Sequence, residues 1–310
     1  MMRVAVTDIG SNSTRLLVAD VDDDGHVTEL ERRTQVTRLG EGVDATGRLA
    51  DAAIARVLEA LDGYAAVIER CGAQARPAVL TSAVRDAANG PEFVAAVERR
   101  YGLEARAISG EEEARLTFLG ATSDRPANDR DPVLVIDVGG GSTELIVGAE
   151  HEVEFSVSMQ VGVVRHSERY LRSDPPTCPE LDALGAEIAA EIARSVPTAV
   201  RRRATQAIAV AGTATSCAAI DQALDPYDPE RVHGYWLSLT TLRLLLARLA
   251  ALDLDARRQV RGLHPDRAPT IVAGVVILIR ALEAFGLDGF ETSEHDILRG
   301  VALWRASRGR

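Results

Sequence analysis

One pattern of apolar and polar positions occurs twice. Residues 4–19 read VAVTDIGSNSTRLLVA and residues 133–148 read VLVIDVGGGSTELIVG. In register, the copies share Val, Val, Asp, Gly, Ser, Thr, Leu and Val. Each is an apolar strand, an acidic residue, a Gly/Ser/Asn turn and a second apolar strand, which predicts a β-hairpin whose tip holds an anion or a metal–anion pair. Two such tips facing each other across a cleft would grip a phosphate from both sides.

The first hairpin covers about Val4 to Val21 and turns at Asp22–Gly25, with a third extended stretch over Val27 to Arg38. Leu49–Arg70 has the spacing of an amphipathic helix that stops at Gly72. Ala78–Ser82 reads as a strand. A helix follows from Pro91, burying Phe93, Val94 and Val97 and ending at Gly102. Glu104–Ile108 is a further strand. Ser109 and Glu112 form a capping box at the head of a helix that runs through Phe118. The polar stretch Thr122–Pro132 is the best linker. Beyond the second hairpin come a helix over Glu180–Ser195, a strand over Ile208–Ala211 entering a Gly-Thr turn, and helices at Leu237–Ala251 and Ile271–Phe285. A duplicated plan of this kind predicts an α/β fold with two related domains of the actin-like ATPase (sugar kinase/Hsp70) architecture. The expected division is 1–128 and 129–310, with the last helix free to pack back on the first domain.

The composition narrows the function. Hydrophobic residues make up 46% and charged residues 26% of the 310, as in ordinary globular proteins. The net charge of −11 argues against nonspecific nucleic-acid binding and against docking on anionic lipid. An anionic substrate then needs a local basic pocket and a divalent cation. Cys71, Cys178 and Cys217 lack metal-ligand spacing and are expected to be buried thiols in a reducing compartment. The N-terminus begins at once with strand-like alternation, not a signal-peptide pattern. The longest apolar run, Ile271–Ile279, is too short to span a bilayer. A cytoplasmic protein is expected.

The chemistry concentrates at the turns. Asp8 and Asp137 each end an apolar strand beside a glycine. Ser11, Asn12 and Ser13 in one tip, and Gly140, Gly141 and Ser142 in the other, offer consecutive backbone N–H groups as an anion nest. The two carboxylates would repel phosphate unless they act through Mg²⁺ or an oriented water. Of Glu111, Glu112 and Glu113, the helix dipole accounts for the first and the capping box for the second. Glu113 is left over, and crowding by its neighbours would raise its pKa toward that of a general base. Arg85, just after a strand, could bind phosphate in bidentate fashion with Ser82 as an additional donor. Gly212 and Thr213 lie in a strand-to-helix turn that either binds phosphate or is a plain connection. His295-Asp296 is an isolated pair that does not make an HD-type metal site.

DIGSNSTR at 8–15, TSAVRDA at 81–87, ISGEEEA at 108–114, VIDVGGGSTE at 135–144, AGTATS at 211–216 and SEHDILRG at 293–300 together resemble the exopolyphosphatase/guanosine pentaphosphate phosphatase family. They fall in that family's order and cover nearly the whole chain. The resemblance implies an active site between two actin-like domains and Mg²⁺-dependent hydrolysis of a terminal phosphoanhydride, with Mn²⁺ as a substitute. By motif position it makes Glu113 the catalytic base, Asp137 the holder of metal or nucleophilic water, and Glu144 the close of the same motif, with Asp8 as a further metal ligand. Ser11, Asn12, Ser13, Ser82, Arg85, Gly139, Gly140, Gly141, Ser142, Gly212 and Thr213 would line the phosphate path. The length resembles the short, actinobacterial-type members, which lack a C-terminal helical HD-like extension, and a homodimer is implied by likeness alone. Polyphosphate is the expected substrate, pppGpp the alternative, and no nucleic-acid or membrane partner is expected. A kinase of the same superfold and a non-catalytic polyphosphate- or nucleotide-binding regulator are the remaining rivals.

Overall fold

The protein is described by a computed structural model over residues 1–126 and 129–308. It divides into two compact units, Met1–Ser123 with His295–Arg310, and Asp124–Glu294. The unit boundary after Ser123 falls inside the predicted linker, whereas Asn128, the expected boundary residue, lies outside the described residues. The residues from His295 onward cluster with the first unit. Among the described residues no helix is long and apolar enough to cross a membrane.

The first unit runs β1 (Met2–Ile9), β2 (Ser13–Val21), β3 (Val27–Val36), α1 (Val43–Thr46), α2 (Asp51–Cys71), β4 (Pro77–Leu80), α3 (Ser82–Asp86), α4 (Gly90–Tyr101), β5 (Glu104–Ala107) and α5 (Gly110–Ala121). Its five-stranded sheet has the order β3-β2-β1-β4-β5, antiparallel across the hairpin and parallel from β1 to β5. Both faces of β1 and β2 are covered, which is why they read as unbroken apolar runs. Ala5, Ile9, Leu16 and Val18 pack with Val57, Leu61 and Tyr64 of α2. That helix puts an apolar residue inward every three or four positions and stops at Gly72, whose φ of 65° few other residues adopt. Val4, Val6, Leu17 and Ala19 face the opposite way, with Leu116 of α5 and with Ile297, Leu298 and Val301.

Those last three residues belong to α14, the helix Ile297–Ser307, so the chain's end completes this core. Burying them contributes on the order of 6 kcal/mol before entropy is counted. The approach of α14 to α5 depends on two glycines. A Cβ on Gly300 would stand 1.8 Å from the Leu116 carbonyl oxygen, and one on Gly120 would stand 1.9 Å from that of Asp296.

The second unit contains β6 (Val133–Val138), β7 (Thr143–Ala149), β8 (Glu152–Met159), α6 (Val163–Tyr170), α7 (Cys178–Ser195), α8 (Thr198–Arg201), β9 (Gln206–Val210), α9 (Ala211–Asp221), α10 (Pro229–Val232), β10 (Trp236–Ser238), α11 (Leu239–Ala250), α12 (Leu254–Arg258), α13 (Ile271–Phe285) and β11 (Gly289–Thr292). Its sheet order is β10-β11-β9-β6-β7-β8. Read backward from β8 to β11, this is the order of the first sheet, with β10 added at the edge. Even the irregularity repeats: the ladder shifts register at Val18/Ala19 in one copy and at Val147/Gly148 in the other. The α/β class with two related units expected from the repeat is therefore the class observed.

Local expectations differ in four places. α3 begins directly after β4, so Ser82 and Arg85 are helical. β10 and β11, of three and four residues, are too short to leave a period in the sequence. Glu112 accepts no bond at the N-cap, so only half of the capping box forms. Finally, Cys217 is buried, but Cys71 is intermediate and Cys178 exposed, which corrects the expectation of three buried thiols.

Candidate active site

The parallel strands β1, β4 and β5 all end at one edge of the first sheet, the edge where open α/β sheets bind ligands. Three chain segments leave there: the tip between β1 and β2, helix α3, and the head of α5. The tip closes through a hydrogen bond from the Gly10 N–H to the Ser13 carbonyl (2.9 Å). The Ser11 and Ser82 hydroxyls are buried 2.9 Å apart, and the Ala83 N–H donates to Ser11 Oγ, so tip and α3 are fastened together. The Asn12 carbonyl accepts from Thr37 and Arg38, while its side-chain Oδ1 is buried with no hydrogen-bond partner. Ser13 already lies in β2, paired with Val36.

Asp8 stands directly across the hairpin from Arg15. Arg15 donates Nε (2.9 Å) and Nη2 (2.6 Å) to Asp8 Oδ2, and its Nη1 to Asp296 Oδ2. Asp8 Oδ1 is buried and has no hydrogen-bond partner. Burial pushes the Asp8 carboxyl above its ordinary pKa, opposed by Arg15 and reinforced by Asp296. Asp296, half of a pair that does not read as an HD-type metal site in the sequence, is thus tied to the first hairpin through Arg15.

Glu113 is buried in the first turn of α5, where its carboxylate accepts from Arg85 Nη1 at 3.0 Å; the same nitrogen donates to the Ile108 carbonyl at 2.9 Å. Crowding among the three glutamates is not what singles it out. Glu111 is exposed, and Glu112 turns away to a bidentate pair with Arg106 (2.6 and 2.7 Å) that holds its carboxyl below the usual range. The side chain of Arg85 retains 23% exposure, so the residue that steadies Glu113 is not sealed from solvent.

The second copy shares the frame but not the charge. Asp137 and Glu144 are directly paired across β6 and β7, as Asp8 and Arg15 are across β1 and β2. An opposed pair projects to one face with Cβ atoms about 5 Å apart. Both side chains are buried, and Ser158 Oγ donates to Glu144 Oε1 at 2.7 Å. One tip therefore pairs a carboxylate with a guanidinium, and the other sets two carboxylates side by side. The second tip closes as the first does, from the Gly139 N–H to the Ser142 carbonyl at 3.0 Å. Its carbonyls are tied down: Gly139 and Gly140 accept from Val163 and Val164 (both 2.9 Å), and Gly141 accepts from Arg165 Nε (3.0 Å). A Cβ on Gly162 would fall 2.3 Å from the Gly140 oxygen.

Strand β9 runs parallel to β6, so α9 starts at the same sheet edge. Ala211 adopts φ 62°, an uncommon conformation for a residue with a Cβ and one often found at functional turns. Gly212 follows, and a Cβ there would lie 1.9 Å from Arg267 Nη1, which also donates to Ser216 Oγ at 3.3 Å. Thr213 is buried against Gly274. Arg267 has no signal in the sequence, because it sits in a short 3-10 turn, Pro265–Arg267, far from every motif.

The duplicated α/β frame carries the sites of a phosphatase family: residues 17–305 match the model of the Ppx/GppA phosphatase family, and the chain belongs to that family. It is 38% identical to exopolyphosphatase 2 of Mycobacterium tuberculosis over 98% of both chains. Among solved structures, it is similar to an exopolyphosphatase-like protein (36% identity, TM-score 0.91, all of both chains). It is also similar to the Aquifex aeolicus family member (32% identity, TM-score 0.83, 100% and 99% of the two chains).

Proposed function

We propose that this chain is an exopolyphosphatase that hydrolyses the terminal phosphoanhydride of polyphosphate and releases inorganic phosphate. The observation that carries the reading is Glu113, a buried carboxylate at the head of α5, held by Arg85 at the carboxyl edge of the sheet. Glu113 accepts a proton from the attacking water. Arg85 orients that carboxylate and, with its exposed side, meets phosphate oxygens. Main-chain N–H groups of Gly140, Gly141 and Ser142 and of the first turn of α9 bind phosphate oxygens, with Arg267 as an additional cation.

The donor set suits Mg²⁺. Within the second unit, Asp137 and Glu144 are two buried carboxylates on opposed positions, oxygen donors of the kind hard divalent cations take; within the first, Asp8 has one buried oxygen without a hydrogen-bond partner. Asp137 and Glu144 would hold the ion, with Mn²⁺ as a substitute. When bound, it offsets the charge on the transferring phosphoryl group and leaving oxygen.

The test is phosphate release from short polyphosphate, long polyphosphate and pppGpp, with and without Mg²⁺. Polyphosphate turnover lost by at least a hundredfold in Glu113→Gln and Asp137→Asn is expected. Activity on pppGpp alone would favour the pppGpp reading. ATP consumption that needs an added acceptor would favour a kinase. Near-normal release by Glu113→Gln would remove Glu113 as the base.

A further inference from the structure

We propose that Asp296 is a positioning residue that keeps Asp8 Oδ1 available to a divalent cation, through Arg15. The inference rests on the metal-dependent phosphatase reading above and adds a residue outside both hairpins. Three observations support it. First, Arg15 is shared: Asp8 Oδ2 takes two of its N–H groups and Asp296 Oδ2 a third. Second, Asp8 Oδ1 is left buried with no hydrogen-bond partner, an arrangement that costs free energy unless something binds there. Third, Asp296 itself is fixed. Its Oδ1 accepts from the Leu298 N–H (3.0 Å) as the N-cap of α14, and its carbonyl accepts from the Gly300 N–H (3.0 Å) beside Gly120 of α5.

The charge count explains what the third partner does. In the second copy the cross-strand pair is Asp137 with Glu144, a formal charge of −2. In the first copy Asp8 with Arg15 alone would be neutral and would have little attraction for a cation. Asp296 returns the trio to −1 and occupies the guanidinium arm that could otherwise turn to Asp8 Oδ1. The side chain of Asp296 thus acts on the tip, while its main chain lies against the helix that carries Glu113.

The test separates this role from helix capping. Asp296→Ser keeps an N-cap acceptor but has no carboxylate for Arg15; Asp296→Asn is its companion. The full-length proteins are titrated with Mn²⁺ alone, free ion being read by electron paramagnetic resonance, and the Mg²⁺ half-saturation of phosphate release is measured separately. Both constants are expected to rise at least fivefold in both variants, with a smaller change in kcat at saturating Mg²⁺. Unchanged Mn²⁺ affinity in Asp296→Ser, with or without a lower melting temperature, would overturn the proposal and reduce Asp296 to a cap. Glu113→Gln is the control for the parent reading. If it is inactive while Asp296→Ser binds Mn²⁺ normally, only the Asp296 role fails. If it remains active, the assignment of the base fails whatever Asp296 does.

Discussion

Replacing Gly300 with Ala sets two effects of opposite sign against each other. In a helix interior, Ala is favoured over Gly by about 1 kcal/mol, so propensity alone predicts stabilisation. Packing predicts the reverse. The new Cβ would lie 1.8 Å from the Leu116 carbonyl oxygen and 2.7 Å from its carbon, against at least 3.4 Å for an ordinary contact. The two helices would have to part by the difference, 3.4 minus 1.8, or roughly 1.6 Å, and the obstacle is backbone that cannot change rotamer. Overpacking of this severity costs about 3 kcal/mol, leaving a net loss of about 2 kcal/mol. Gly63 in α2 is the control, since a Cβ there meets nothing within 4 Å. Urea titration followed by tryptophan emission in a Trp236→Phe background leaves Trp304 of α14 as reporter. Its ring lies under the Arg106 and Arg308 guanidinium groups at 5.2 and 4.6 Å. Gly63→Ala should move the midpoint up and Gly300→Ala should move it down. Because α5 carries Glu113, a shift of this size should also lower kcat by about a hundredfold. Equal upward shifts for the two variants would refute the close α5–α14 contact and the argument built on it.

Other outcomes follow from single contacts. Arg85→Ala removes the partner of buried Glu113 and should lower kcat by about a hundredfold, with Arg85→Lys recovering only part of it, read by phosphate release. Glu180 accepts from the N–H groups of Arg172, Ser173 and Thr177 and from the Thr177 hydroxyl, which pulls its carboxyl from 4.5 down to about 2. A depressed folded-state pKa stabilises fully above 4.5 and loses that contribution as the pH falls through about 2. The melting temperatures of wild type and Glu180→Gln should therefore differ at neutral pH and converge toward pH 2. Burial pushes the Cys217 thiol up to about 12, so under native conditions a thiol reagent should label exposed Cys178 rapidly and spare Cys217 until the protein unfolds.

The sequence made the hairpins legible because each strand is buried on both faces, which produces an unbroken apolar run ending in an acid and a glycine. The same logic located α2, α4, α7 and α13, whose apolar spacing is regular and whose stops are Gly72, Gly102, the Val196-Pro197 step and Gly286. Tertiary partners were not legible. Crowding singles out Glu113 in the sequence, whereas in the structure the reason is Arg85, a contact between residues 28 apart in sequence. Asp296 reaches Arg15 across 281 residues, and no local pattern encodes such a pair. Arg267 is silent in the sequence for the same reason. One asymmetry is legible in the sequence: Arg15 occupies the register of Glu144, so the copies share a frame and differ in charge.

The return of α14 to the first unit has a consequence for biosynthesis. A ribosome releases Met1 through Ser123 long before Ile297, so Val4, Val6, Leu17 and Leu116 emerge with no cover on one side. The segment Asp124–Glu294 leaves the exit tunnel earlier than the helix that completes its N-terminal neighbour. Maturation is thus ordered from the middle outward, and a nascent chain stalled short of Ile297 carries an uncovered apolar sheet face of the kind chaperones bind.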